Sequence, residues 1–308
     1  MIPLIIIQGP TASGKSVFAI ELAEQLQTEI ISADSRQVYR FMDIGTAKVS
    51  KNEQQRVKHH LIDIVNPDEK YSAGNFIKDA SDVILKLHHQ QKIPIICGGT
   101  GMYIKALTEG LFEHEPIPST IKDELYEIYC QKGLDTLYDM LKEYDPVSAS
   151  NIYPQDKQRI LRALEVFKAT GKPIRAHWDE QQERNPYRVF NILINPDRSE
   201  LYQRINERMD NMLRIGLIEE IHSLIDMGYN ENDFGLNSVG YKEFFPFLNG
   251  KASLSICLEL AKQHSRNYAK RQITWYKKCN FNFAFLKKYI NISEIIHEIE
   301  CFLEVENV

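Results

Sequence analysis

What this sequence lacks narrows its function first. No stretch of eighteen apolar residues occurs in the 308-residue chain, so no membrane-spanning helix is expected. The N-terminus carries neither a basic leader segment nor a cleavage site and reads at once as a strand, so no secretory signal is expected. The five cysteines, at 97, 130, 257, 279 and 301, form no C-x-x-C pair. An odd count argues against a disulfide framework and for inert thiols in a reducing cytoplasm. G-x-S-x-G is absent, and no Cys-His arrangement stands out, which leaves covalent nucleophilic catalysis without support. His59-His60 and His88-His89 have no metal-ligand spacing and no H-E-x-x-H context, so zinc is not expected. There is no internal repeat and no low-complexity tract.

What is present suits a large α/β protein: 43% hydrophobic and 26% charged residues. The net charge of −5 argues by itself against a nucleic-acid partner, but its distribution does not. From Lys262 to Lys278, six lysines and arginines occur with no acid, interleaved with Tyr268, Trp275 and Tyr276. Periodicity predicts a strand over "PLIIIQ", a helix from Ser16, strands over "TEIISADS" and "HHLIDIV", a helix from Phe76 to Leu87, and a strand over "IPIIC". Strands alternating with helices imply parallel pairing. Residues 113–185 lack strand runs and hold two helical passages; "YRVFNILI" then resumes the core, followed by a long helix, the basic segment, a strand at "FNFAFL" and an amphipathic helix near "SEIIHEIECFLEV". The expected divisions are 1–112, 113–185 and 186–308.

Gly9 and Gly14-Lys15-Ser16 complete G-x-x-x-x-G-K-[ST] between a strand and a helix. Glycines let backbone N–H groups turn toward an anion, and the helix N-terminus adds positive potential. The fold expected is therefore a P-loop NTPase-like parallel sheet flanked by helices, with a mostly helical insertion. Gly9, Thr11, Ala12, Ser13, Gly14, Lys15 and Ser16 are the expected phosphate-binding residues, and Ser16 the Mg²⁺ ligand. An ATPase normally adds a second-strand acid for Mg²⁺. Here "IPIIC" runs into "GGTG" instead, while Asp34 ends the "EIISADS" strand. Asp34 can be a metal ligand, a general base or a helix cap; Thr100 a phosphate donor or a cap. Arg204 and Arg208 share a helix face, as an anion clamp or, through Glu200, as surface ion pairs. Lys262, Arg266 and Lys270 recur at four-residue intervals, as a phosphate-backbone stripe or a solvated face. Kinase and non-kinase transferase both remain open on these residues.

The stretches "GPTASGKS", "ISADSRQVYR", "MDIGTAK", "YSAGNF", "GGTGMYIKAL", "DKQRILRALEVFKATGKP", "NSVGYKEF" and "YAKRQITWYKK" occur in series, and in that order the chain resembles the tRNA dimethylallyltransferases, of bacterial type. The resemblance implies transfer of a dimethylallyl group from dimethylallyl diphosphate to N6 of adenosine 37 in tRNAs reading codons that begin with U. A P-loop kinase of a nucleoside or small metabolite is the alternative. The resemblance further implies that the loop grips a leaving diphosphate, that Asp34 is the base for the N6 amine, that Thr100 contacts a donor phosphate oxygen, and that Arg208 neutralises the diphosphate. It assigns tRNA contacts to Asp34, Ser35, Arg36 and Gln37, to Gln158, Arg159, Ile160, Leu161 and Arg162 on the insertion, and to Lys270, Arg271, Gln272 and Trp275. Arg266-Asn267 stands where many relatives have two adjacent basic residues, so one phosphate contact is expected to be lost. A cytoplasmic monomer without membrane association is expected.

Overall fold

The computed structural model describes residues 1–110, 117–180, 186–285 and 291–304, without the side chains of 178–180. Two compact units result: Met1–Thr108 with Pro186–Val308, and Glu109–Asn185. The divisions expected from sequence at 112/113 and 185/186 fall on residues 112, 113 and 185, which lie outside the described residues.

In chain order the elements are β1 (Ile2–Gln8), α1 (Lys15–Gln25), β2 (Ile30–Ser32), α2 (Lys51–Arg56), β3 (His59–His60), α3 (Ala73–His89), β4 (Ile95–Gly98) and α4 (Gly101–Glu109). The second unit supplies α5 (Ser119–Tyr144), α6 (Pro146–Asn151), α7 (Lys157–Thr170) and α8 (Ile174–Glu180). The first unit then resumes with β5 (Tyr187–Ile194), α9 (Arg198–Arg214), α10 (Leu217–Asp226), a 3₁₀ turn at Lys242–Phe244, α11 (Phe245–Leu248), α12 (Leu254–Tyr276), β6 (Phe283–Phe285) and α13 (Ile292–Glu304).

The six strands pair in parallel in the order β3-β2-β4-β1-β5-β6. A parallel sheet must bury both faces, because its crossovers lay helices on each side. In β1, Ile5 and Ile7 join Phe18, Leu22, Ile295 and Ile299 of α1 and α13 on one face. Leu4 and Ile6 join Phe76, Ala80, Ile84 and Ile104 of α3 and α4 on the other. That two-residue alternation of fully buried side chains is why "LIII" is apolar throughout. Truncating one of them to Ala costs about 2–5 kcal/mol at such sites.

The expected third strand shrinks to two residues. Leu61 and Asp63 take positive φ of 61° and 57°, which no extended ladder accommodates, and only a bridge from Tyr39 to Val65 follows. A third core forms where residues 38–42 meet α9, α10, the 3₁₀ turn and α12 through Val38, Met42, Met209, Leu217, Ile221, Phe244 and Ala261. The second unit has its own core of Leu125, Leu137, Leu141, Ile160 and Leu164. Its α5 is interrupted at Gly133 (φ 82°, ψ 177°), so the first helical passage read from sequence is two packed pieces.

Candidate functional site

The C-terminal ends of β1, β2 and β4 deliver three loops to one edge of the sheet, where open α/β sheets bind ligands. The first is the phosphate loop. Gly14 occupies the left-handed region at φ 92° and caps α1, a conformation that only glycine adopts without strain. Gly9 is required for space: a Cβ there would lie 2.5 Å from the Ile194 carbonyl oxygen. Lys15 Nζ donates to the Pro10 carbonyl at 3.3 Å. Burial lowers the Lys15 pKa, partly opposed by Cys97 and Asp34. Ser13 is 4% exposed, and its Oγ is buried without a hydrogen-bond partner among the described residues.

The second loop carries Asp34. Its Oδ1 accepts the backbone N–H of Arg36 at 2.8 Å and of Gln37 at 3.4 Å, while Oδ2 has no hydrogen-bond partner among the described residues. One oxygen of the carboxylate thus caps the Arg36–Gln37 turn, in keeping with the cap reading, and the other is not used in that cap. On the third loop, Thr100 Oγ1 accepts the Ser35 N–H at 3.1 Å, which ties the end of β4 to the Asp34 turn.

Arg208 reaches these loops from α9. Its guanidinium donates to Thr11 Oγ1 at 3.4 Å and to the Thr46 carbonyl at 3.5 Å. Burial lowers its pKa, and the Asp34 charge partly compensates. Arg204, one turn earlier, forms the expected ion pair with Glu200 (2.7 Å) and also donates to the Ser13 carbonyl at 3.4 Å. A cavity of about 340 Å³ joins Lys15, Ser16, Asp34 and Arg208. Its lining holds five basic side chains (Lys15, Arg36, Arg208, Lys242, Arg271) and one acid, Asp34, so an anionic ligand is what its field favours. A second cavity of about 600 Å³ shares Lys15, Ser16 and Arg208 and continues past Lys48 and Arg204.

Among the described residues no group of three or more His, Cys, Asp or Glu gathers for a metal. Ser16 and Asp34 nonetheless line the same cavity with hard oxygen donors. That fits Mg²⁺, which binds through one or two protein oxygens and takes its remaining ligands from phosphate and water.

The residues expected to meet RNA divide sharply. Arg36 lines the cavity and donates to the Phe234 carbonyl at 2.8 Å; Gln37 is buried and donates to the Ala47 carbonyl at 3.1 Å. Lys270 is exposed, and Arg271 borders the cavity near the Tyr268 ring. Gln272 and Trp275 also make contacts inside the protein. Gln272 is 7% exposed and bonds the Thr11 N–H and the Gly99 carbonyl, while the Trp275 indole packs where a Cβ at Gly101 would stand. On α7, Gln158 and Arg159 are exposed. Ile160 is fully buried in the core of its own unit, so its side chain offers RNA nothing, and Leu161 packs against that core. Arg159 pairs with Asp156 (3.3 Å) and Arg162 with Glu165 (3.6 Å).

The basic stripe is also partly neutralised. Lys262 pairs with Asp210 at 2.7 Å and Glu259 at 3.1 Å, and Arg266 donates to Asn206 Oδ1 at 2.6 Å. Asp210 comes from α9, which a local charge count cannot register.

Sequence reasoning missed Glu220. Its carboxylate accepts the N–H groups of Asp43 (2.8 Å), Ile44 (2.7 Å) and Gly45 (3.1 Å), and the Tyr241 hydroxyl at 2.6 Å. It thereby fixes the "MDIGTAK" turn that supplies Thr46 to Arg208. It also missed the inward row Tyr268, Gln272 and Tyr276. The signal was available, since these recur every four residues on α12 beside the basic stripe. Burial, with the Asp34 charge, pushes the Tyr268 pKa up to about 12.

Comparison with known proteins finds the following likenesses. The family model described as IPP transferase matches residues 37–279. A tRNA dimethylallyltransferase of Geobacter sulfurreducens is 45% identical over 276 residues, covering 89% of each chain. One from Thermoanaerobacter sp. strain X514 is 42% identical over 307 residues, covering 98% of each. The solved tRNA isopentenylpyrophosphate transferase of Bacillus halodurans superimposes with a TM-score of 0.74 at 36% identity, over 100% of this chain and 98% of that one. A eukaryotic dimethylallyltransferase caught acting on tRNA gives 0.75 at 31% identity, over 90% of this chain and 70% of its own.

Proposed function

The chain belongs to the IPP transferase family, and from that membership together with the site's chemistry we infer that it transfers a dimethylallyl group to the N6 amine of adenosine 37 in tRNA. The observation that carries the reading is the meeting of Lys15, Arg208 and Asp34 in one cavity. Two half-buried cations suit an anion that gains charge, and the single carboxylate suits an amine that loses a proton.

In the proposed reaction the donor is dimethylallyl diphosphate. Its C1–O bond breaks and the diphosphate departs with the electron pair. Backbone N–H groups of the phosphate loop, Lys15 Nζ and the Arg208 guanidinium lie where that charge develops. The buried Ser13 Oγ, without a partner among the described residues, is a ready donor to the same anion. Ser16 would hold Mg²⁺, which when bound supplies further neutralisation of the diphosphate.

Adenine N6 attacks the allylic carbon. Its lone pair is delocalised into the ring, so it is a poor nucleophile until a base accepts its proton; Asp34 Oδ2 is free to do so. Thr100, through its hydroxyl, holds the Asp34 turn. The target base must leave its stack to enter the cavity, which costs least in a single-stranded anticodon loop. Arg36, Arg271 and Lys270 then meet the RNA at the cavity mouth, and Gln158 and Arg159 offer further contacts from the insertion. Excluding water matters because water also captures allylic carbon.

The proposed enzyme acts as a cytoplasmic monomer on tRNAs reading codons that begin with U. Among the described residues no helix is long and apolar enough to cross a membrane.

The test is incubation of purified protein with dimethylallyl diphosphate and unmodified tRNA, followed by mass spectrometry of the nucleosides. The expected result is N6-dimethylallyladenosine at position 37 with release of diphosphate. ATP-dependent phosphorylation of a small acceptor, with adenosine 37 unmodified, would overturn the reading in favour of a kinase.

A further inference from the structure

Donor chemistry is distributed over two loops from different strands, residues 9–16 after β1 and residues 98–101 after β4. One side chain from α12 spans both. Gln272 Oε1 accepts the Thr11 N–H at 2.9 Å, and its Nε2 donates to the Gly99 carbonyl at 2.9 Å. One turn on, the Tyr276 hydroxyl donates to the Gly9 carbonyl at 3.0 Å. Both side chains are buried, Gln272 at 7% exposure and Tyr276 at 3%.

The glycines of "GGTG" report the same contact from the opposite side. A Cβ at Gly99 would lie 2.3 Å from Gln272 Nε2, and one at Gly101 would lie 2.2 Å from Trp275 Nε1. A Cβ at Gly98 would meet the Ala33 carbonyl oxygen at 2.1 Å. These glycines therefore admit α12 and the neighbouring strand end, and they do not need an anion to explain them. Gly99 leads directly to Thr100, whose hydroxyl holds the Ser35 N–H and with it the Asp34 turn.

We propose that Gln272 is a positioning residue for prenyl transfer: its carboxamide holds the phosphate loop and the Thr100 loop in one register, so that Lys15, Thr100 and Asp34 keep their mutual spacing. It is not a tRNA contact. The proposal rests on the transferase reading above, and it makes α12 a two-sided element. Exposed Lys270 and cavity-edge Arg271 face outward, while Gln272 and Tyr276 brace the donor side.

The experiment uses the full chain with dimethylallyl diphosphate and tRNA, and wild type must first prenylate adenosine 37; failure there sinks the transferase reading and not this inference alone. Gln272→Met keeps the length and removes both hydrogen bonds. Its kcat/KM for the donor should fall roughly tenfold or more, as expected for a lost buried pair, with tRNA affinity in filter binding unchanged. A weakened tRNA affinity with unaltered donor kinetics would overturn the proposal. A double-mutant cycle tests the contact without requiring the Met variant to fold. Gly99→Ala should cut donor kcat/KM severely in wild type but add little to Gln272→Ala, because truncation vacates the space that the new methyl needs. Additive losses, or a harmless Gly99→Ala, would equally overturn it.

Discussion

Asp34 offers the sharpest test of the chemistry, because its two oxygens do different jobs. Asp34→Asn keeps Oδ1, which accepts from the Arg36 and Gln37 N–H groups, and removes the basicity of the carboxylate. Asp34→Ala removes both. The turn-capping component is worth about 1 kcal/mol, so Ala should lose roughly that much stability by urea denaturation, while Asn stays near wild type. The catalytic component is larger: loss of a positioned base costs roughly 10²–10⁴-fold in turnover, and both variants should show it in kcat. Donor KM should not rise in either, since Asp34 is the one acid among five basic side chains around the cavity and its charge opposes the diphosphate. Steady-state kinetics with saturating tRNA and varied donor read these quantities directly. An Asn variant that turns over at the wild-type rate would refute the general-base role. A loss confined to donor KM would instead make the carboxylate a metal-binding group.

Further expectations concern other parts of the molecule. Glu220→Ala removes the shared acceptor of three backbone N–H groups and the Tyr241 hydroxyl; with partial replacement by water at this half-buried site, urea denaturation should show a loss of about 2–4 kcal/mol, and Gln should retain part of it. Burial raises the Glu29 pKa, but hydrogen bonds from Lys92 and His60 and the Lys58 charge outweigh it and hold the carboxyl at about 2, below its ordinary value of 4.5. Its contribution to stability is therefore complete above pH 4.5 and lost as pH falls toward 2, so Glu29→Gln should flatten acid unfolding across that window. Replacing Lys270 and Arg271 with Ala should weaken tRNA binding and reduce its salt slope by about 0.7 per lost single-strand phosphate contact; an unchanged slope would remove them from the RNA surface.

The parts legible in the sequence are those whose cause is local. "PLIIIQ" followed by the glycine-lysine turn specifies strand, loop and helix within adjacent residues, and β1, Gly14 and α1 appear there accordingly. "HHLIDIV" looks like a strand by composition, yet left-handed backbone at Leu61 and Asp63 ends it after His60. The misread features have distant causes. Gln272 resembles a solvent-facing member of a basic helix until Thr11 and Gly99, 261 and 173 residues away, are brought to it. Lys262 resembles a free cation until α9 supplies Asp210. Glu220 sits in the first turn of α10, where an acid is ordinary, and only the fold delivers the Asp43–Gly45 turn to it.

The strand order carries a consequence for the newborn chain. β1 is made first yet lies between β4 and β5, so one of its two hydrogen-bonding edges stays open until Tyr187–Ile194 has left the ribosome. At about 5–20 residues per second the interval from β4 to β5 lasts on the order of 5–20 s, during which "LIII" presents an unpaired edge. The helices made in that interval bury a core of their own and can consolidate without waiting. Aggregation during synthesis should therefore depend on how fast residues 99–186 are translated, which synonymous codons alone can change.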